Sequence, residues 1–341
     1  MIKIGFCGII IKAKNVTGKD FTMNTRRAQD ILRHITKDED YGIAAFEKLS
    51  LTDSIYVVNR MLPECIKKAV YENNDNDAGY FSKIAELYRP LTINKINAAE
   101  HLWVVYSNLT GYPYYVDGDL MVAYDFTACQ NIERQLCNAG YDATFGVVDN
   151  AGFKSEIAHM YRNGYRNIKF TDGKGEPFEV AREEFYSYEE FFDDKYITNP
   201  ALEGGMIDFL QEYRKKAAID GREEMLKRRE DKMFEAMVNS EFMIPCIKEE
   251  KEEEIEISHP FIDLSDRATS KDGGPVIAVP AFTDGFELEK CYKGHYETML
   301  YQFKELVSLV DELGASGVII NCLGVSYYMD RDILKKVSLR A

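Results

Sequence analysis

A strand, a helical stretch and a second strand near the C-terminus constrain this chain more than any other feature. Residues 274–284 (Gly274-Pro-Val-Ile-Ala-Val-Pro-Ala-Phe-Thr-Asp284) are apolar and β-branched, and the run breaks at Pro280, Phe282 and Thr283. Short apolar runs bounded by Gly and Pro are the pattern of a buried strand. A long amphipathic helix is expected over 287–313, and Gly317-Val-Ile-Ile-Asn321 reads as a second strand closing on Gly324. Together they make a framework of sheet and helix, and none of these side chains carries obvious chemistry.

At 341 residues the chain exceeds one ordinary core, so two or three domains are expected. It carries 57 acidic and 42 basic residues, a formal charge of -15. That balance argues against nucleic acid or an anionic membrane as the main partner, because both are polyanions. The seven cysteines (Cys7, Cys65, Cys129, Cys137, Cys246, Cys291, Cys322) are scattered, with no C-x-x-C pair. Reduced thiols in a cytoplasm are expected, rather than a disulfide framework or a zinc site. Residues 4–11 are apolar, but Lys12 and Lys14 stand where a signal-peptide cleavage site would be, so the run reads as a strand. Met23 is an alternative native start. No apolar run reaches the ~18 residues that span a bilayer.

In chain order, helices are expected at 25–36, 42–49, 53–72 (with Pro63 as a break or kink) and 78–88, a mainly helical unit over 1–94. Residues 95–182 read as an α+β unit. It has strands at 102–106, 113–116 and 120–124, a helix from Thr127 to about 138, a strand at 143–148, a helix at 154–163, and short strands at 168–170 and 178–180. Asp117-Gly-Asp119 suits a hairpin turn, because Gly accepts positive φ. Residues 183–227 are read as a linker and connecting helix interrupted at Gly221. Residues 228–341 form a second α+β unit, with strands at 242–247 and 255–257 ahead of the opening framework.

An internal echo links the two units. Val122-Ala-Tyr-Asp-Phe-Thr127 precedes Ile132-Glu133, and Ile277-Ala-Val-Pro-Ala-Phe-Thr283 precedes Leu288-Glu289 at the same offset. In each, the aromatic would seal the sheet edge and the Thr would cap the helix. The C-terminal copy resembles the N-terminal domain of the SseB (enhanced serine sensitivity) family over residues 230–341. The resemblance rests on Phe242-Met-Ile-Pro245, on Ile277 to Asp284 with Glu287-Leu288, on Phe303 and Leu306, and on Gly317-Val-Ile-Ile-Asn321 with Gly324. Cys322 departs from the family pattern, which commonly has proline after that Asn. The resemblance implies a small α+β domain; residues 100–181 share it only weakly, through the Phe-Thr passage, and with the echo and the helical start the expected fold is α+β, two SseB-like mixed α/β units in tandem after a mainly helical N-terminal unit. The resemblance also implies a bacterial cytoplasmic protein of undefined biochemistry, with no catalytic residue to carry over.

Site by site, the sequence offers little chemistry. His34, His101, His159, His259 and His295 stand apart, outside any H-x-x-x-H or H-E-x-x-H pattern. Asp117 and Asp119 are too few for a cation site. Asp172-Gly-Lys-Gly175 lacks the phosphate-loop frame. Cys129 and Cys137 fall roughly on one helix face two turns apart, and both read as buried small hydrophobes. Trp103, Tyr112, Tyr114 and Tyr115 are candidates for an aromatic groove, and Glu249, Glu250, Glu252, Glu253 and Glu254 for an acidic docking surface. The resulting expectation is a non-catalytic protein that binds a protein or peptide, with no cofactor or metal, no nucleic acid and no membrane partner. Two alternatives stay open: an enzyme or small-ligand binder with its site in a cleft between the units, and a structural or secretion-associated component.

Overall fold

The computed structural model describes residues 30–31, 33, 41–215, 221–250, 255–267, 274–293 and 296–340. The expected strand at 4–11, Met23, Cys7, His34, His295, most of the 25–36 helix, and Glu252, Glu253 and Glu254 lie outside them. The fold is α+β with mixed sheets. Among the described residues no helix is long and apolar enough to cross a membrane. The chain divides into two compact units, neither continuous in sequence: 1–106 with 119–157 and 167–187, and 107–118 with 158–166 and 188–341.

The first unit begins with helices α1 (Ile43–Glu47), α2 (Leu51–Tyr56), α3 (Leu62–Tyr71) and α4 (Asp75–Asn97). Pro63 does not break its helix. A π turn over Val57–Met61 carries the helical chain from α2 into α3 without a gap, with Met61 and Leu62 both in right-handed helical conformation, and Pro63 stands just after it in the first turn of α3. Phe46, Val57, Met61, Leu62, Ile84 and Tyr88 form the core under these helices. Phe46 stacks on Tyr88 with centroids 3.9 Å apart.

The unit's sheet runs in the order β4-β1-β3-β5-β6, from β1 (Leu102–Ser107), β3 (Asp119–Ala123), β4 (Ala143–Val148), β5 (Asn167–Thr171) and β6 (Phe178–Ala181); the short strand β2 (Tyr115–Val116) falls in the segment 107–118 of the second unit. β1 pairs antiparallel with β3, β3 parallel with β5, and β5 antiparallel with β6. Helices α5 (Phe126–Asn138) and α6 (Asn150–Asn163) lie between β3 and β5 in sequence, flanking β4. The turn ahead of β3 has positive φ at Asp117 (55°) and Gly118 (95°), the type I′ pattern. Asp119 is consumed by Lys169 at 2.7 Å and Asn167 at 3.0 Å. The Asp172–Gly175 turn is equally occupied: Arg60 pairs with Asp172 at 3.1 Å, and Asn131 donates to its carbonyl.

The second unit holds α7 (Pro200–Tyr213), α8 (Arg222–Val238), α9 (Gly285–Cys291), α10 (Phe303–Glu312) and α11 (Arg331–Ser338). Its strands are β7 (Glu241–Glu250), β8 (Ile255–Ser258), β9 (Ile262–Asp263), β10 (Ile277–Ala281), β11 (Glu297–Gln302), β12 (Gly317–Ile320) and β13 (Tyr327–Asp330). One sheet has the order β13-β12-β10-β9 and the other β11-β7-β8. β10 pairs parallel with β12 and antiparallel with β9, and β12 pairs antiparallel with β13. Met243 and Phe282 exchange backbone bonds of 2.9 and 3.0 Å. Phe242, Phe282 and Phe303 are fully buried, each worth about 2–3 kcal/mol of transfer free energy.

Three sequence expectations change here. The long helix over 287–313 is two helices with strand β11 between them, paired to β7 from Glu297 to Gln302. Helical spacing is clear over 303–312, but Gly294 and the Tyr- and Thr-rich stretch after it favour extended chain. The stretch read as linker and connecting helix does carry a helix, α7, but it starts at Pro200 and is no solvated connector, since its Leu202, Glu203, Met206, Ile207 and Leu210 are buried. Thr127 and Thr283 are not the caps: Asp125 accepts from Ala128 N at 2.7 Å, and Asp284 from Glu287 N at 2.8 Å. Thr127 thus follows its cap and Thr283 precedes its own. The aromatics differ likewise, since Phe126 is 46% exposed and Phe282 0%.

Candidate functional site

Two places in the second unit concentrate chemistry. The first lies at the C-terminal ends of β10 and β12. Their parallel pairing sets Ala281 beside Ile320, so Thr283, Asp284 and Asn321 leave the sheet together. Asn321 holds φ 48°, in the left-handed region that Asn tolerates better than most residues. Its Oδ1 accepts from Thr283 N at 3.1 Å, and its Nδ2 donates to Thr283 Oγ1 at 2.9 Å and Glu203 Oε2 at 2.7 Å. Thr283 Oγ1 also donates to Glu203 Oε2 at 3.1 Å.

One turn into α9, Glu287 joins the same cluster. Arg162, near the end of α6, places Nε 2.9 Å from Asp284 Oδ2 and Nη2 3.4 Å from Glu287 Oε1. That Glu287 oxygen also receives Tyr112 OH at 2.9 Å and Lys290 Nζ at 2.5 Å. The Arg162 guanidinium lies 4.0 Å from the centre of the Phe286 ring. Asp284 and Glu287 therefore share the buried Arg162, the partly exposed Lys290 also pairs with Glu287, and Glu203 is bonded to Thr283 and Asn321. Glu203 Oε1 and Glu287 Oε2 are buried without a hydrogen-bond partner among the described residues.

Burial is the main force on the Glu203 carboxyl, seconded by Glu287 and Asp284, and it pushes the group up to about 8 against the pull of Arg162 and Lys290. Glu203 is thus a neutral acid near neutral pH. Burial and the neighbouring Glu203 and Glu287 also push the Tyr112 hydroxyl upward, keeping it protonated. A perturbed carboxyl beside a tyrosine is a combination found in acid–base sites. Here Glu203, Thr283 and Asn321 are 0% exposed, so no solvent-facing atom of theirs can meet a substrate. The arrangement fastens β10, β12, α7, α9 and the end of α6 to one another.

The second place is the β7–β8 hairpin. β8 is the edge of its sheet among the described residues, and all four of its side chains are exposed, with Ile255 at 61% and Ile257 at 42%. Ile255 pairs opposite Glu250 and Ile257 opposite Lys248. Cross-strand partners share a face and faces alternate along a strand, so both isoleucines continue the face bearing buried Phe242, Ile244 and Cys246. Over 247–258 the sequence has six glutamates and two lysines. Lys248 is held by Glu297 at 2.5 Å.

Of the sequence candidates, Tyr112 enters the buried cluster and Tyr114 is itself buried. Tyr115 packs edge-on against Tyr165 at 5.0 Å, with Gln211 bonded to its backbone. Trp103 is a half-buried residue of β1 in the first unit. Glu249 is exposed on β7, and Glu250 ends that strand. Sequence reasoning missed Arg162 and Glu203, one closing an ordinary helix and the other inside the presumed linker. A signal did exist for Asp284, Glu287, Asn321 and Gly324, which lie in or beside the two apolar runs that dominate the C-terminal sequence. Among the described residues no three His, Cys, Asp or Glu side chains are grouped as a metal ion requires. No protein-family model, curated protein or solved structure matches this chain.

Proposed function

We propose that this chain is a non-catalytic, SseB-like binding protein that takes up an extended, basic segment of a protein partner as an added strand on β8. The observation that carries this is the β8 edge itself, whose four side chains all face solvent and whose outer backbone groups have no strand beside them among the described residues. Edges of this kind accept a further strand through main-chain hydrogen bonds, with alternate side chains setting the choice of partner. Ile255 and Ile257 would cover apolar residues on one face of the segment. The glutamate-rich hairpin selects lysine and arginine between them.

The tandem reading has support from topology. In the first unit a strand antiparallel to β3, the parallel pair β3 and β5, and antiparallel β6 occur with helix–strand–helix between β3 and β5. The second unit repeats those pairing senses with β10, β12 and β13, and again places helix–strand–helix between the parallel strands. Cap residues Asp125 and Asp284, rather than the Phe-Thr pairs, bring the two passages into register.

A peptide alternating lysine with valine tests the binding reading, monitored by fluorescence anisotropy and by hydrogen exchange at the β8 amides. Binding should weaken with salt, protect β8, and disappear in the Ile255→Lys/Ile257→Lys variant. A peptide of equal charge with proline at alternate positions should bind far less, because it cannot donate to a strand. Equal binding of both peptides, or no protection at β8, would refute strand addition.

A further inference from the structure

A pair of thiols borders the buried cluster and takes no part in it. Cys291 is the last residue of α9, and Cys322 follows Asn321 in the turn between β12 and β13. Their sulfurs are 2.8 Å apart, and both residues are half-buried. Each is held from behind. Asp284 and Glu287 anchor α9. The other side is fixed by the bonds of Asn321 to Thr283 and Glu203 and by Gly324 N donating to Asn321 O at 2.8 Å. Closing to a disulfide needs an S–S distance of about 2.05 Å, a movement of less than ~1 Å.

We propose that Cys291 and Cys322 form an oxidisable dithiol, closed to an intrachain disulfide by hydrogen peroxide and reopened by a dithiol reductant, that fastens the end of α9 to the Asn321 turn. The two sulfurs have different roles. The two thiols share one hydrogen bond in which either sulfur can donate, and the Leu323 N–H also points at them; this bond is the main cause that lowers the Cys291 thiol below its ordinary range and raises that of Cys322. Glu287 opposes the Cys291 thiolate and Lys290 favours it.

Cys291 is therefore the sulfur that attacks peroxide. An S–O bond forms, the O–O bond breaks, and the departing hydroxide takes a proton to leave as water, giving a sulfenic acid. Cys322 then gives up its proton as its sulfur attacks Cys291. The S–S bond forms, the S–O bond breaks, and a second water leaves. Two thiols lose two electrons in total, and peroxide is reduced to water.

The test uses the full chain with hydrogen peroxide, followed by peptide mapping. The expected product has lost two hydrogens and yields a Cys291–Cys322 linked peptide that dithiothreitol separates. In Cys322→Ser the sulfenic acid should persist on Cys291 and be trapped by dimedone, faster than at the exposed Cys137, which serves as the control thiol. A measurement on the unsubstituted chain guards against a variant that misfolds. Phenylarsine oxide, which bridges closely spaced thiols, should block alkylation of Cys291 and Cys322 and leave Cys137 reactive. Oxidation of Cys137 with Cys291 and Cys322 still free, scrambled pairing, or no protection by the arsenical would overturn the proposal.

Discussion

Replacing Glu203 by Gln probes the buried cluster directly. In the folded chain the carboxyl keeps its proton up to about 8, whereas its ordinary value is 4.5. Between those values the folded state binds more protons than the unfolded one, so stability falls as pH rises across that window. At 1.36 kcal/mol per unit the full penalty is about 5 kcal/mol, and rearrangement around the ionised group should leave on the order of 2–4 kcal/mol. Glutamine is neutral throughout. Its Oε1 can take over the bonds from Thr283 and Asn321, and its amide fills the position of the unpartnered Glu203 Oε1. The variant should match the parent near pH 4 and exceed it by on the order of 2–4 kcal/mol near pH 8.5. Trp103 is the single tryptophan and belongs to the first unit, so its fluorescence does not report this region. Hydrogen exchange of peptides from α7 and α9, corrected for intrinsic rates, does. Parallel pH profiles for parent and variant, or a less stable variant at high pH, would refute the assignment of Glu203 as a neutral buried acid.

Two further substitutions bear on the same cluster. Arg162→Leu removes the cation shared by Asp284 and Glu287 and should cost on the order of 3–5 kcal/mol, read as lost exchange protection in α9. Gly324→Ala would bring a methyl group 2.1 Å from Glu287 Oε2 and 2.6 Å from Tyr112 OH, side chains already fixed by partners. A loss of about 1–3 kcal/mol is expected by the same measurement, and an unchanged α9 would show that the cluster yields more easily than its geometry suggests.

Much of the framework is legible in the residues alone. Apolar β-branched runs mark β10 and β12, Asp117-Gly118 marks a turn, and amphipathic spacing marks α10 and α11, because side-chain alternation and helical repeat act between near neighbours. The acidic hairpin is equally visible as composition. Local signals fail where two answers compete: β11 is hidden inside a helical pattern, and Asp284 rather than Thr283 caps α9 although both residue types suit the role. The buried cluster belongs to tertiary structure alone. Tyr112, Arg162, Glu203, Glu287 and Asn321 come from distant parts of the chain, and no short-range pattern tells which charges lose their water. Desolvation and ion pairing depend on what packs around a group in space, so the neutral Glu203, the thiol pair and the exposed side chains of β8 emerge only once the strands are placed.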